Sequence, residues 1–387
     1  MSQDEFFLQN WDDLECSPDL LRGIYAIGFE NPSPIQQKAI LPITKERHVV
    51  AQAQSGTGKT GAFVIGALTR VDLTVNSTQI LIISPTKELT VQTESVVRNI
   101  GSMMTGLMVE SVYGGCITQK NGNSFLNKKN PHIICGCPGK IHEMLRRRTL
   151  NPRSIKLVIV DEVDEMLSSS FNEQLYNIFQ QLNADVQVAL FSATMPPHIH
   201  RIVDQIVQNP VHITVKTEML TLEGIQQFFL GVDDDEQKYE SLKRIFSYLS
   251  VSQCIIYCNS VKRVQDLYEA MLQDNFPVCC IHRNMTREER EKSFTEFKGG
   301  KSRVIISTNI TARGIDIQQV SVVINFDVPT CVDNYLHRIG RSGRWGRKGV
   351  GINFTTYRDV DYLKKIEEHY RCNIKELPTN LSFLDKY

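Results

Sequence analysis

Short runs of Val, Ile and Leu recur through the chain, each followed by a longer stretch with the three-to-four spacing of an amphipathic helix. In the first half they are His48–Ala53, Gln79–Ser84, His132–Cys135, Leu157–Val160 and Val188–Ser192. In the second they are Cys254–Cys258, Val278–His282, Arg303–Thr308, Val322–Phe326 and Gly351–Thr355. A strand apolar on both faces must be covered on both, and alternation with helices does this by building a parallel sheet with helices on either side. Two such sets predict an α/β chain of two domains, 1–216 and 224–387, with a polar linker over 217–223. The length of 387 residues agrees, at about 150 residues per domain.

Charge and composition narrow the function classes. Lys and Arg together number 43, as do Asp and Glu, so a polyanionic partner must be held by local groups and not by a basic tail. With 41 % hydrophobic and 22 % charged residues, the chain is neither collagen-like nor a coiled coil nor disordered. Apolar runs such as Ile80–Ile83 are far shorter than the ~20 residues of a membrane span. The N-terminus Met1-Ser2-Gln3-Asp4-Glu5 is acidic with no apolar stretch behind it, so no secretory signal is expected. A cytoplasmic location follows as the expectation, with the nucleus also open. Most of the ten cysteines sit inside apolar runs and lack zinc-site spacing, which predicts reduced, packed thiols.

The sharpest local motif is Ala53-Gln54-Ser55-Gly56-Thr57-Gly58-Lys59-Thr60, between an apolar strand and an apolar helix. Phosphates need many donors at close range. Gly56 and Gly58 let the backbone turn its N–H groups inward, and the helix N-terminus adds a favourable dipole. Lys59 reaches the β- and γ-phosphates of a nucleoside triphosphate and the Thr60 hydroxyl ligates Mg²⁺. The same residues also fit Gly-x-Gly-x-x-Gly, but the next strand ends in Ser84-Pro85 with no ribose-binding acid, which argues against a dinucleotide. A second apolar strand, Leu157–Val160, runs into Asp161-Glu162-Val163-Asp164. Asp161 is placed to hold Mg²⁺ and Glu162 to orient and deprotonate an attacking water. No Asn-Lys-x-Asp guanine reader follows, so the triphosphate is not read as GTP. In the second half, Tyr335-Leu336-His337-Arg338-Ile339-Gly340-Arg341-Ser342-Gly343-Arg344 sets arginines among glycines. Arg341 and Arg344 suit phosphate contact, as arginine fingers supplied by another domain.

In their order and spacing these motifs resemble the DEAD-box RNA helicases of superfamily 2 over nearly the whole chain. Among them the translation initiation factor 4A subfamily, which includes an exon-junction paralogue, is most similar. The resemblance implies two tandem RecA-like domains with a cleft that closes on ATP and single-stranded RNA together. It implies that Phe29 and Gln36 belong to an adenine-reading segment, with Trp11 at the place of the aromatic that stacks on the base. Gly314 and Asp316 match the ribose-side motif of the second domain. Ser192, Thr194, Asp164 and His337 match the positions that couple hydrolysis to strand separation. RNA-backbone contacts fall at Pro85, Thr86, Lys87, Gly115, Pro138, Gly139, Lys140, Asn259 and Thr308, while Arg146-Arg147-Arg148 reads as a solvated face.

The implied function is an ATP-dependent RNA helicase that hydrolyses ATP and locally unwinds RNA, in translation initiation. The alternative is an ATP-locked RNA clamp that nucleates a ribonucleoprotein complex in mRNA splicing or processing. With no basic tail in the sequence, a monomer of weak isolated activity is expected, assisted by a helical-repeat scaffold protein. Departures from the family pattern cluster on the RNA side: Lys87 and Lys140 for arginine, Cys137 for threonine, Asn309 for aspartate, Arg283-Asn284 for Gly-Asp, and Arg287 for glutamine. On the ATP side only Trp11 and Val163 are unusual. Weaker RNA grip with retained ATP chemistry is the expectation.

Overall fold

The apolar runs become strands of two parallel sheets, each belonging to its own unit, Met1–Lys216 and Thr217–Tyr387. The computed structural model describes residues 7–54, 56–114, 130–168, 171–215, 225–248, 253–309, 320–342 and 349–386. The linker expected over 217–223 lies outside the described residues.

In the first unit the strands are β1 (Val49–Gln52), β2 (Ile80–Ile83), β3 (Val109–Val112), β4 (Ile133–Gly136), β5 (Leu157–Asp161), β6 (Gln187–Ser192) and β7 (Val211–Thr214). Their order is β3-β4-β2-β5-β6-β1-β7, and every pairing is parallel. The second unit holds β8 (Ile225–Gly231), β9 (Gln253–Tyr257), β10 (Val278–Ile281), β11 (Val304–Ser307), β12 (Val320–Asn325), β13 (Gly349–Thr355) and β14 (Lys375–Glu376). These run β10-β11-β9-β12-β13-β8-β14, again all parallel.

Successive strand residues point to opposite faces, and the core divides accordingly. Val49, Ala51, Ile80, Ile82 and Ile159 pack in one cluster, while Val50, Leu81, Ile83, Val158 and Val160 pack in another. In the second unit Cys254, Ile256 and Ile306 face one side, and Ile255, Tyr257 and Ile305 the other. Burial on both faces is why the middles of these strands are apolar, with polar residues at their ends such as Gln52, Asp161 and Gln253. β3, β7, β8 and β14 were not among the expected strands, because they lack such a run. Glu110 and Ser111 interrupt β3, His212 and Thr214 of β7 are exposed, and β14 has only two residues.

Among the described residues every cysteine is a free thiol, and burial pushes Cys135, Cys254 and Cys258 well above the ordinary thiol range. No helix among the described residues is long and apolar enough to cross a membrane.

The helix Pro18–Ala26 begins where the Ser17 hydroxyl accepts the Leu20 N–H at 3.2 Å, with Pro18 in its first turn. It approaches the end of the helix Lys87–Ile100 at Gly23, where an added Cβ would lie 1.9 Å from the Ile100 carbonyl oxygen. No rotamer change relieves a clash with backbone. Gly23→Ala is expected to destabilise the first unit by about 1–3 kcal/mol, seen as a lower urea midpoint for that unit.

Candidate functional site

A parallel sheet gathers the carboxyl ends of its strands on one edge, and the candidate residues of the first unit lie there in two groups. After β1, β5 and β6, adjacent in the sheet, come the P-loop, the acidic box and Ser192–Thr194. After β2, β3 and β4, the other three neighbours, come Pro85–Lys87, Tyr113-Gly114 and Cys137–Lys140.

The P-loop turn leaves β1 with the Ala53 N–H on the Ser192 carbonyl at 3.1 Å, which ties it to the end of β6. Gly56 and Gly58 have φ of 81° and 97°, the left-handed region that glycine adopts without strain. The helix Lys59–Arg70 follows, and its first ladder bond runs from Ala62 N–H to the Gly58 carbonyl at 2.9 Å. The N–H groups of Lys59, Thr60 and Gly61 therefore precede the helical ladder, as an anion site requires. Lys59 is 7 % exposed, and its Nζ is buried without a hydrogen-bond partner among the described residues. Thr57 Oγ1 donates to the Gln54 carbonyl at 2.7 Å and closes the loop. Ser55 lies outside the described residues.

Gln36 is fixed against this loop. Its Oε1 accepts the Ser33 N–H at 2.8 Å, and its Nε2 donates to the Gly58 carbonyl at 3.4 Å. Phe29 and Gln36 lie across the first turn of the P-loop helix, where a Cβ on Gly61 would meet Gln36 Nε2 at 2.6 Å and Phe29 at 3.0 Å. Trp11, expected to stack on a base, is fully buried and lies stacked on Phe29, with ring centroids 6.1 Å apart and planes inclined by 16°. Its large apolar surface places it in the core, so Phe29 is the half-buried ring beside the P-loop.

Asp161 ends β5, and its Oδ1 accepts the Glu162 N–H at 3.0 Å. Glu162 has φ of 52°, a left-handed conformation costly for a residue with a Cβ. Its Oε2 is buried without a partner among the described residues. Burial, with the neighbouring Glu162 adding to it, pushes the Asp161 carboxyl up to about 7, and Lys59 opposes the rise. Val163 packs into the core beneath the box. Asp164 Oδ2 accepts the Thr194 hydroxyl at 2.7 Å, and Ser192 Oγ donates to the Thr194 carbonyl at 2.6 Å. The structure thus links Ser192, Thr194 and the acidic box within one unit.

The other group is differently furnished. Thr86 caps the helix Lys87–Ile100 by accepting the Leu89 N–H at 3.3 Å, and Lys87 Nζ lies 5.0 Å from the centroid of the Tyr113 ring. Pro138 and Gly139 open the helix Pro138–Arg146. Lys140 pairs with Glu143 at 3.1 Å, and Glu143 also holds Arg147 at 3.0 Å. Cys137, at the cap, shares a 3.4 Å contact with the Thr90 hydroxyl. Arg146, Arg147 and Arg148 are exposed. Gly115 is outside the described residues. Tyr113 and Glu143 were not foreseen; the aromatic beside Gly114 and the three-residue Lys–Glu spacing were the available signs.

In the second unit Asn259 and Thr308 follow β9 and β11, neighbours in the sheet. His337 and Arg338 lie on the helix Val332–Ile339 and Arg341 on the turn after it; all three are buried. Arg341 Nε donates to the His337 carbonyl at 3.3 Å. Arg338, never singled out from the sequence, is the most heavily bonded of them. Its Nε donates to Asn309 Oδ1 at 2.7 Å, one Nη to Asn259 Oδ1 at 2.8 Å, and the other to the Asp327 carbonyl at 2.8 Å and Asn325 Oδ1 at 3.2 Å. Gly314, Asp316 and Arg344 lie outside the described residues.

The first group sets a buried lysine near two buried carboxylates, with Lys59 Nζ and Glu162 Oε2 lacking a hydrogen-bond partner among the described residues. That donor set fits a nucleotide phosphate chain with a divalent ion.

Comparison with known proteins agrees. The DEAD/DEAH box helicase family matches residues 33–202, and the helicase conserved C-terminal domain matches residues 237–346. The chain is 45 % identical to the ATP-dependent RNA helicase eIF4A of Scheffersomyces stipitis over 374 residues, 97 % of this chain and 94 % of that one. It is equally similar to eIF4A of Emericella nidulans, over 375 residues with the same coverage. The structure of S. cerevisiae Dbp5 bound to RNA and ADP BeF3 superposes with a TM-score of 0.90 at 32 % identity, covering 98 % of this chain and 99 % of that one. Mss116p bound to ssRNA and AMP-PNP shares the fold, with a TM-score of 0.84 at 23 % identity over 97 % of this chain and 81 % of that one.

The Asp161 carboxyl carries a stability consequence. Its value in the fold lies above the usual 3.8, so ionisation opposes folding, and the nucleotide-free protein loses stability as pH rises from about 4 through about 7. Asp161→Asn is expected to raise Tm without ligand, most at pH 8 and progressively less towards pH 4, in thermal melts across that range.

Proposed function

The chain belongs to the DEAD-box family of RNA helicases, and we propose that the first-unit group described above is its ATP-hydrolysing centre. The observation that carries this reading is the pair of buried groups without a hydrogen-bond partner among the described residues, Lys59 Nζ and Glu162 Oε2, on neighbouring stretches of one sheet edge.

The chain is an ATP-dependent RNA helicase: it hydrolyses ATP to ADP and phosphate and couples this to binding and opening RNA. The proposal gives its residues the following roles. The N–H groups of Lys59, Thr60 and Gly61 and the Lys59 ammonium hold the β- and γ-phosphates. Gln36, fixed by Ser33 and Gly58, presents an amide to the adenine edge, and Phe29 offers the ring face beside it. Asp161 and the Thr60 hydroxyl would hold Mg²⁺, which when bound neutralises phosphate charge. Glu162 takes the proton from the attacking water, and its strained backbone fixes the carboxylate in place before substrate arrives. Arg341 adds guanidinium charge to the phosphates, as does Arg344. The Thr194–Asp164 bond transmits a change at the acidic box to the segment after β6.

RNA is held through its backbone by the residues after β2, β3, β4, β9 and β11, with little sequence preference. Translation initiation is the process we assign, supported by the relatives named eIF4A. A cytoplasmic monomer working with a helical-repeat scaffold protein completes the assignment.

Steady-state ATP hydrolysis with and without a short single-stranded RNA tests this reading. RNA-stimulated turnover is expected, and Lys59→Ala or Glu162→Gln is expected to lower it by about 10²-fold or more. Multiple turnovers of a short duplex per protein accord with a helicase. Long-lived, ATP-dependent retention of RNA without turnover would replace it with a clamp.

A further inference from the structure

In the second unit Arg338 reaches from the helix Val332–Ile339 to the carboxyl ends of β11, β9 and β12, which are consecutive in the sheet. Its guanidinium touches Asn309 beyond β11, Asn259 beyond β9, and Asn325 and the Asp327 carbonyl at the end of β12. It is fully buried and lies 5.2 Å from the centroid of the Tyr257 ring. Two of these strand ends carry the RNA-contacting positions, Asn259 itself and Thr308 beside Asn309. The helix carrying Arg338 leads into Arg341, one turn on, whose N–H donates to the Arg338 carbonyl at 3.2 Å.

The charge around Arg338 does not close. Asp327 accepts the Nε and one Nη of Arg263 at 2.7 Å each, the Asn259 N–H at 3.0 Å and the Lys238 ammonium at 3.3 Å. Asp235 takes the other side of Arg263 through two bonds of 2.8 Å. The two carboxylates thus pair with Lys238 and Arg263, and the deeper Arg338 donates hydrogen bonds only to neutral oxygens among the described residues. A buried charge held this way is under-compensated, and a carboxylate in contact would bind it more strongly than an amide does. Asn309 Oδ1 makes the shortest of these bonds, at 2.7 Å, and sits on a side chain whose acid is nearly isosteric.

We propose that Arg338 is the positioning residue that ties the RNA-contacting ends of β9 and β11 to the Arg341 turn, and that the neutral side chain of Asn309 keeps this tie weak. RNA seated on Asn259 and Thr308 shifts strand ends that the guanidinium bridges, and the Arg341 turn follows only as firmly as the bridge holds. The inference rests on the functional reading above and names a further determinant of its coupling.

The test uses the full chain. Asn309→Asp is expected to lower the RNA concentration for half-maximal ATPase stimulation by about threefold or more, because a charged pair replaces a neutral bond. Arg338→Lys keeps the charge but loses the fork, and is expected to cut RNA-stimulated kcat by about tenfold while the KM for ATP stays within about twofold. Arg338→Met is expected to erase the effect of Asn309→Asp, the mark of direct coupling between the two. Amide hydrogen exchange provides a readout independent of turnover. Segments 257–259, 307–309 and 337–342 are expected to slow together in Asn309→Asp. The proposal is overturned by an Asn309→Asp protein whose RNA half-saturation and exchange match the parent, or by a folded Arg338→Lys protein with full stimulation. A parent chain whose ATPase ignores RNA would instead sink the helicase reading, and the exchange arm would still decide whether the tie exists.

Discussion

A parallel strand buried on both faces can offer polar chemistry only where it stops. That constraint organises this protein. Within β5 the residues Leu157 to Val160 are all buried and apolar, and the first acid is the strand's last residue, Asp161. β1 and β6 likewise end at the P-loop and at Ser192. Because the strands are parallel, these ends share one edge, and sheet order decides which functions are neighbours. The order β3-β4-β2-β5-β6-β1-β7 puts the P-loop, the acidic box and Ser192–Thr194 after three adjacent strands, and Pro85–Lys87, Tyr113-Gly114 and Cys137–Lys140 after three others. Separation of the two groups is therefore a property of topology, and they adjoin where β2 lies beside β5.

Electrostatics within the ATP group follows the same logic. A lysine and two carboxylates are buried together, and Lys59 Nζ and Glu162 Oε2 have no hydrogen-bond partner among the described residues. Burial raises the cost of ionising Asp161, and Glu162 beside it raises that cost further. The fold tolerates this, together with a left-handed Glu162, because the surrounding strands are held by apolar burial on both faces. Such stored cost means that binding a phosphate chain and its counter-ion relieves strain already present, which is how a rigid site is made ready for charge.

Much of this was legible in the sequence, for a physical reason. Strands such as Ile80–Ile83 and Leu157–Asp161 announce themselves because double-sided burial leaves no room for polar residues. The P-loop is legible because a phosphate cradle needs glycine at fixed places, and φ at Gly56 and Gly58 shows why. Edge strands such as β7, with exposed His212 and Thr214, left no such mark. Long-range side-chain contacts were also invisible: nothing in the spacing says that Trp11 stacks on Phe29, or that Arg338 gathers Asn259, Asn309 and Asn325 from 79, 29 and 13 residues away. Periodicity reports which face a residue lies on, but not whom it meets there.

The contrast between the two groups of the first unit gives the departures from the family pattern a physical meaning. Lysine in place of arginine keeps charge but gives up the planar fork, and a flexible ammonium settles on whatever neighbour is near. Lys87 settles over the Tyr113 ring, and Lys140 on Glu143, whose carboxyl the lysine holds below its usual range. Glu143 in turn is shared with Arg147, so the negative charge stays beside Lys140 whichever way that side chain turns. A phosphate arriving at Lys140 must compete with a carboxylate already there. At Lys59 a phosphate competes with no partner among the described residues. On the proposed roles, a phosphate at Lys59 displaces no hydrogen bond among the described residues, whereas one at Lys140 replaces an ion pair. An exchange of that kind is what a third element, docked against either partner, can shift.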